Sequence, residues 1–138
     1  MKNLNDFSKE IYEGNKLRGF DVAKENIGQS LMLVVSELSE ALEADRINKH
    51  ANLELFEHKL KKSVLINNPD LCSVEISPDT AYKAYFEYSI KDSFEDEIAD
   101  ALIRLFDLCG GLGIDIETHI KYKLEYNSKR QFKHGKSY

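Results

Sequence analysis

Five consecutive apolar residues, 31–35 (LMLVV), run directly into the acid-rich stretch 36–45 (SELSEALEAD). At roughly 100° per residue, five successive helical positions point to every side of a helix. The pattern therefore predicts a central helix over about 24–47 that is enclosed on all sides along residues 31–35. It also places Glu37 and Glu40 three residues apart, so their carboxylates lie about one turn apart on one face.

The rest of the chain also favours helices. Its 138 residues suit a single domain, and seven glycines and two prolines are few for a turn-rich β fold. Further helices are predicted over about 5–17, about 93–109 and about 115–130, with Ser93 as an N-cap and the glycine pair 110–111 as a stop signal. Four principal helices indicate an all-α, four-helix-bundle-like fold.

Residues 48–92 interrupt this pattern between the second and third core helices, and we interpret them as an irregular insertion in one domain spanning 1–138. Residues 51–65 (ANLELFEHKLKKSVL) look like a short helix, and 67–79 look like a loop with a brief extended piece. Asp79 is a candidate N-cap for another short helix through 81–90.

The sequence gives no sign of export or membrane insertion. Its first residues, MKNLNDFSKE, lack the apolar region of a signal peptide, and no apolar run approaches the length of a membrane span. Cys72 and Cys109 form no metal-binding or redox spacing, so we expect a reduced, cytoplasmic setting.

Charge is unevenly distributed along the chain. Residues 121–138, which include a basic tail at 131–138, carry six Lys or Arg side chains against the single acid Glu125, a net charge of +5. Since the whole chain has a net charge of −5, the other 120 residues carry −10. A basic segment on an acidic body fits either nucleic-acid binding or the phosphate-binding part of an acidic metal site.

The helix over 93–109 carries a second acidic pair. Glu97 and Asp100 repeat the three-residue spacing, and with Arg104 and Asp107 they fall within roughly 80° of the helix circumference. If this pair faces Glu37 and Glu40, four carboxylates converge and repel one another unless a cation is present. The alternative is that these acids are solvated and paired, for instance Asp100 with Arg104.

A hard divalent cation fits such a group of oxygen ligands. None of the four histidines follows a carboxylate by three residues, which excludes the Glu-x-x-His motif of diiron bundles. Carboxylates alone favour Mg²⁺, with Mn²⁺ as the alternative, and Mg²⁺ bound in this way keeps positions open for substrate phosphates.

The last predicted helix changes character along its length. Ile116 and Ile120 continue, on nearly the same stripe, into Lys123, Asn127 and Arg130. Lys and Arg bind phosphate oxygens, although basic residues are also common at a helix C-terminus for electrostatic reasons. Acids suited to a metal and bases suited to phosphate together indicate hydrolysis of a phosphate ester or anhydride.

Three segments resemble the MazG-like nucleoside triphosphate pyrophosphohydrolases, a family of the all-α dUTPase-type superfamily. They are LMLVVSELSEALEADR, FEDEIADALIRLFDLCGGLGIDIE and KLEYNSKRQFKHGKSY, and the resemblance covers about 25–47 and 93–138. The family pattern is Glu-Glu-x-x-Glu followed by Glu-x-x-Asp. Ser36 stands where the first Glu is expected, Glu37 and Glu40 match the next two, and Glu97 and Asp100 match the second motif.

The resemblance implies Mg²⁺-dependent hydrolysis of a nucleoside triphosphate to the monophosphate and pyrophosphate. It implies that Glu37, Glu40, Glu97 and Asp100 hold the metal, with Glu37 and Glu40 also catalytic, and that Lys123, Asn127 and Arg130 bind the substrate. It also implies a homodimer or homotetramer and a role in cleansing the nucleotide pool. For the nucleobase, Phe7, Asn15 and Phe20 are candidates, although packing and turn roles are the simpler interpretation.

Two other classes of function remain open. One is a non-catalytic helical interaction module that keeps the same bundle. The other is a nucleic-acid binder that uses the basic tail, which the net charge of −5 and the pI of about 5.4 disfavour.

Overall fold

A computed structural model describes residues 2–66 and 77–130, and all of the regular structure in this part of the chain is helical. A short 3-10 turn, Lys24–Asn26, precedes the second helix. None of these helices combines the length and apolar character that crossing a bilayer requires. The helices are α1 Leu4–Leu17, α2 Ile27–Arg46, α3 Leu53–Ile66, α4 Pro78–Ser89, α5 Phe94–Leu112 and α6 Ile116–Ser128.

The chain forms two compact units. One comprises Leu33–Leu102, and the other comprises Met1–Met32 together with Ile103–Tyr138. The first unit contains α3, α4 and most of α2, and the second contains α1 and α6.

Helices α3 and α4 occupy the region interpreted as an insertion, and they pack on each other. Phe56 of α3 is buried, and its ring meets Tyr82 and Phe86 of α4 edge-on at centroid distances of 5.3 and 6.1 Å. The prediction of a short helix here is confirmed by α3. The expected loop and extended piece fall mostly on residues 67–76, outside the described part of the chain.

The N-cap predicted for α4 is wrong. Ser77, not Asp79, caps this helix, because the Ser77 hydroxyl accepts a hydrogen bond from the Thr80 N–H at 3.2 Å. Pro78 follows as the first helical residue, where its missing N–H is not needed. The cap predicted at Ser93 is confirmed, because its hydroxyl accepts from the Asp96 N–H. Asp115 caps α6 by accepting from the Thr118 N–H.

In the second unit, reciprocal hydrogen bonds join the first turns of α1 and α6. The Leu4 N–H donates to Glu117 at 2.8 Å, and the Glu117 N–H donates to the Asn5 side chain at 3.2 Å. The Asn5 amide nitrogen also donates to Asp115 at 2.7 Å. These bonds satisfy N–H groups that helix starts leave without partners inside the helix.

The prediction that the glycine pair 110–111 ends α5 is wrong. The helix continues to Leu112. A Cβ at Gly110 would overlap the Ser8 carbonyl oxygen and lie 2.8 Å from the Tyr12 Cβ, and one at Gly111 would lie 2.9 Å from the Val22 Cβ. The two glycines therefore let α1 approach the backbone of α5. The positive φ of 66° that ends the helix falls at Gly113.

The prediction that residues 31–35 are enclosed on all sides is wrong for the single chain. Only Val34 is buried, while Leu31, Met32, Leu33 and Val35 keep 40 to 64% of their surface exposed. The buried face of α2 consists of Val34, Glu37, Ala41 and Ala44. One side of this helix is thus packed, and its larger apolar side chains point away from the core.

Candidate metal centre

Three carboxyl groups from two helices meet in the unit formed by Leu33–Leu102. Glu37 and Glu40 come from α2 and Glu97 comes from α5, and one oxygen of each lies within 4.8 Å of the others. Glu37 and Glu97 are buried, at 6% and 5% exposure, whereas Glu40 is exposed. The sequence prediction that the two acidic pairs approach each other holds for these three residues.

The position of Glu37 follows from the face that α2 buries. Val34, Glu37, Ala41 and Ala44 follow one another at spacings of three and four residues, the repeat of a single helix face. Three of these residues are small or medium-sized apolar residues, so the helix packs closely on this side. Glu37 is the one charged residue on that face, and its carboxyl group enters the interior beside Glu97.

The closeness of the acids changes the protonation of Glu97. Burial is the largest cause that raises the pKa of Glu97, from 4.5 to about 7. The negative charge of Glu40, a hydrogen bond with Glu37, and the charges of Glu37 and Asp100 act in the same direction. Ionising the whole group is therefore unfavourable without a compensating positive charge.

Asp100 lies one turn after Glu97 on α5, at an exposed position. The three mutually close oxygens do not include one from Asp100, but its charge contributes to the raised pKa of Glu97. Asp100 therefore belongs to the electrostatic surroundings of the cluster and lies near its solvent side.

Ser36, which occupies the position of an expected glutamate, contacts the cluster directly. Its hydroxyl donates a hydrogen bond to Glu40 at 3.2 Å. The exposed Glu40 carboxylate thus has a neutral donor one turn before it on α2. The sequence marked Ser36 only as a departure from the family pattern and did not indicate this contact.

The start of α5 is anchored to the segment that follows α2. The Ala51 N–H and the His50 ring both bond to Glu95, at 2.8 and 3.0 Å, and the Phe94 N–H donates to the Lys49 carbonyl at 3.0 Å. The bond from Ala51 is the largest cause that lowers the pKa of Glu95. This anchor fixes the first turn of α5 only two residues before Glu97, and no motif in the sequence pointed to it.

The predicted substrate-binding residues lie in the other unit, on α6 and at its C-terminal end. Lys123, Asn127 and Arg130 are exposed. The Lys123 ammonium lies 5.2 Å from the centre of the Tyr126 ring, and the Arg130 guanidinium carbon lies 5.7 Å from it. Both cations therefore lie within cation–π distance of the same exposed ring. The tail residues 131–138 are outside the described part of the chain.

The residues considered for the nucleobase are found in different surroundings. Phe7 meets Phe106 edge-on with ring centroids 5.4 Å apart but is 43% exposed, and Phe20 is 67% exposed. Asn15 hydrogen-bonds to the buried carboxylate of Asp107 and lowers its pKa, but burial, the larger cause, leaves the pKa of Asp107 raised. Among the described residues, one oxygen of Asp107 has no hydrogen-bond partner.

Comparison of the chain with known protein families, with curated proteins and with solved structures finds no match. The assignment of a function therefore depends on the geometry and chemistry of the residues described above.

Proposed function

We propose that this protein hydrolyses nucleoside triphosphates to the monophosphate and pyrophosphate in a reaction that depends on Mg²⁺. The observation that carries the proposal is the meeting of Glu37, Glu40 and Glu97, two of them buried, within 4.8 Å. Buried carboxylates at this density cost stability unless a proton or a cation balances them. The presence of these acids in the interior, despite this cost, is therefore consistent with a functional site.

The donor set supports a hard divalent cation. All three groups are carboxylates, and their oxygens are close enough to share one ion. We propose that Glu37, Glu40 and Glu97 hold Mg²⁺, or Mn²⁺ in its place, with Asp100 contributing from the exposed side. When bound, the ion supplies positive charge against the phosphate oxygens and polarises water.

The side chains of the protein supply the other parts of the reaction. A carboxylate of the cluster, Glu37 or Glu40, accepts a proton as the water oxygen forms its bond to phosphorus. The bond between the α- and β-phosphates breaks, and pyrophosphate leaves. Lys123 and Arg130 stabilise the negative charge of the phosphates, and Asn127 orients them.

The resemblance to MazG-like pyrophosphohydrolases supports the same proposal for fold and assembly. We propose a four-helix-bundle-like MazG fold in which residues 48–92, with α3 and α4, are the insertion. We further propose a homodimer or homotetramer and a cytoplasmic role in cleansing the nucleotide pool. The exposed leucines of α2 agree with an assembly in which copies cover one another.

The decisive experiment offers a panel of ribo- and deoxyribonucleoside triphosphates to the purified chain with Mg²⁺, with and without excess EDTA. We expect equimolar nucleoside monophosphate and pyrophosphate, formed only when Mg²⁺ is free. Orthophosphate and a nucleoside diphosphate would instead indicate cleavage at the outer phosphate. No turnover of any nucleotide would favour the non-catalytic interaction module.

A further inference from the structure

Ser36 and Glu40 lie one turn apart on α2, and the Ser36 hydroxyl donates a hydrogen bond to the Glu40 carboxylate at 3.2 Å. Both side chains are exposed, and both belong to the unit formed by Leu33–Leu102. Glu40 is also one of the three acids whose oxygens lie within 4.8 Å of one another. The contact therefore joins a neutral residue to the proposed metal centre.

The direction of this hydrogen bond differs from that of other serines in α2. A serine hydroxyl inside a helix can donate to the carbonyl oxygen one turn before it. Ser30 and Ser39 do so, at 3.2 and 2.9 Å from the carbonyl oxygens four residues earlier. The single proton of the Ser36 hydroxyl points forward instead, to Glu40. Ser36 thus acts on a side chain and not on the backbone of its own helix.

Glu40 differs from the other two acids of the cluster in how its position is fixed. Glu37 and Glu97 are buried, at 6% and 5% exposure, so the surrounding atoms restrict their side chains. Glu40 is exposed, and binding an ion has to order a side chain with several rotatable bonds. A hydrogen bond that already restricts these bonds in the metal-free protein lowers the cost of binding.

The hydrogen bond also sets the direction of the Glu40 side chain. Ser36 precedes Glu40 by one turn, and side chains of a helix lean toward its N-terminus. The bond therefore holds the Glu40 carboxylate back along α2, toward the turn that includes Glu37. With the side chain in this direction, one Glu40 oxygen reaches the group formed with Glu37 and Glu97.

We propose that Ser36 is a positioning residue of the metal centre, whose hydroxyl orders Glu40 as a ligand of the divalent ion. The inference rests on the proposed function, because it assigns Ser36 to the same site. The MazG-like pattern has a glutamate at this position, and a carboxylate one turn before Glu40 would repel it. Ser36 replaces that negative charge with a neutral hydrogen-bond donor.

The test measures binding of the ion alone to the full chain, without nucleotide. Electron paramagnetic resonance of free Mn²⁺ gives the Mn²⁺ affinity, and titration calorimetry gives the Mg²⁺ affinity. Ser36→Ala should weaken both about tenfold, since removing a group that orients a metal ligand costs about 10- to 100-fold in affinity. Ser36→Thr keeps a hydroxyl and should stay within about threefold of the wild type. Ser39→Ala removes a hydroxyl that bonds to the backbone, so this control should bind as the wild type does.

A double-mutant cycle with Glu40→Ala separates positioning from a general structural role. Glu40→Ala removes the acceptor, so adding Ser36→Ala to it should change Mn²⁺ affinity by less than about twofold. A structural effect of Ser36 on α2 would lower the affinity by the same factor in both backgrounds. In turnover assays, Ser36→Ala should raise the Mg²⁺ concentration for half-maximal rate about tenfold and leave kcat at saturating Mg²⁺ unchanged.

The outcomes that contradict this role are distinct from those that contradict the reaction. Wild-type affinity in Ser36→Ala would overturn the role of Ser36 and leave the proposed reaction in place. The same follows if Ser36→Thr or Ser39→Ala loses as much affinity as Ser36→Ala, or if the loss persists without Glu40. A wild-type chain that binds neither Mn²⁺ nor Mg²⁺ would overturn the metal centre itself, and the role of Ser36 with it.

Discussion

Glu97 of α5 shares a hydrogen bond with Glu37 of α2, between two carboxyl groups that are both buried. Two ionised carboxylates have no proton to donate, so one member of this pair must be protonated. Burial and the surrounding charges raise the pKa of Glu97 to about 7, which makes Glu97 the donor and Glu37 the acceptor. Below about pH 7 this proton lowers the negative charge of the cluster, as a bound cation would.

The raised pKa of Glu97 predicts how the stability of the metal-free protein depends on pH. The folded state binds this proton more tightly than the unfolded state, whose glutamate titrates near 4.5, so stability decreases as pH rises from 4.5 to about 7. The side chain introduced by Glu97→Gln cannot ionise, so this variant lacks the decrease in stability with rising pH. At about 1.4 kcal/mol per unit of pKa, we expect the variant to exceed the wild type by about 3 kcal/mol at pH 8 and by less than about 1 kcal/mol at pH 5.

Urea unfolding in EDTA at pH 5, 6, 7 and 8 measures this difference. Glu43→Gln, which alters an exposed ion pair with Arg46 on the same helix, is the control and should follow the wild type throughout. If the wild type and Glu97→Gln keep a constant difference across this range, the assignment of the proton to Glu97 is wrong.

Mg²⁺ should bind more tightly as pH rises, because it must displace the Glu97 proton. With a pKa of about 7 for this group, we expect affinity at pH 6 to be about tenfold lower than at pH 8. Titration calorimetry at the two pH values measures the affinity and, in buffers of different ionisation enthalpy, the released proton. Equal affinities with no proton release would contradict a metal site that includes Glu97.

Removing one charge from the cluster should nearly abolish turnover. We expect Glu40→Gln and Asp100→Asn each to lower kcat/KM by at least about 100-fold, the effect of losing a main electrostatic contribution to catalysis. Both residues are exposed, so the substitutions should leave the folded state intact. The comparison is with Glu43→Gln, three residues after Glu40 on α2. Near-normal pyrophosphate release by both cluster variants would remove these residues from the proposed site.

The basic residues of α6 should act on substrate binding. Lys123→Ala is expected to raise KM about tenfold or more, since a hydrogen bond to a charged group contributes about 1.5 to 3 kcal/mol. Lys121→Ala removes the same charge two residues earlier and serves as the control. A general effect of positive charge would change KM in both variants, whereas a specific role of Lys123 would change KM only in Lys123→Ala. Equal KM changes in the two variants would show that Lys123 has no specific role.

The contact of Gly110 with α1 predicts a large difference between two glycine substitutions. Gly110→Ala places a methyl group against the Ser8 carbonyl and Tyr12, and overpacking of this kind costs about 1 to 3 kcal/mol. Gly28→Ala, also within a helix, meets no atom within 4 Å and should instead stabilise by about 0.5 to 1 kcal/mol. Thermal unfolding of the two variants shows whether each substitution raises or lowers stability. A Gly110→Ala variant as stable as the wild type would mean that α1 and α5 are farther apart.

Local patterns in the sequence were sufficient to predict the helices and one of the two proposed N-caps. Ser93 acts as predicted because an N-cap depends only on residues a few positions away. Glu37 and Glu97 could be proposed as partners because each lies on a helix with its own three-residue acidic spacing.

The errors concern contacts between segments that are distant in the sequence. The glycine pair 110–111 was interpreted as a stop signal, but both residues are helical. Their lack of a Cβ instead leaves room for α1 to pack closely on α5. The five apolar residues 31–35 carry no information about whether the same chain covers them. The hydrogen bond from Ser36 to Glu40 depends on a rotamer that spacing does not determine.

The close approach of Ser8 to Gly110 has a consequence for finding related sequences. Position 110 is restricted by shape, so we expect a larger residue there to destabilise the fold for a reason unrelated to catalysis. A search pattern that joins the two acidic pairs to a glycine ten residues after the last acid would combine a chemical signature with a steric one. Chains that satisfy both are the natural candidates for common ancestry with this protein.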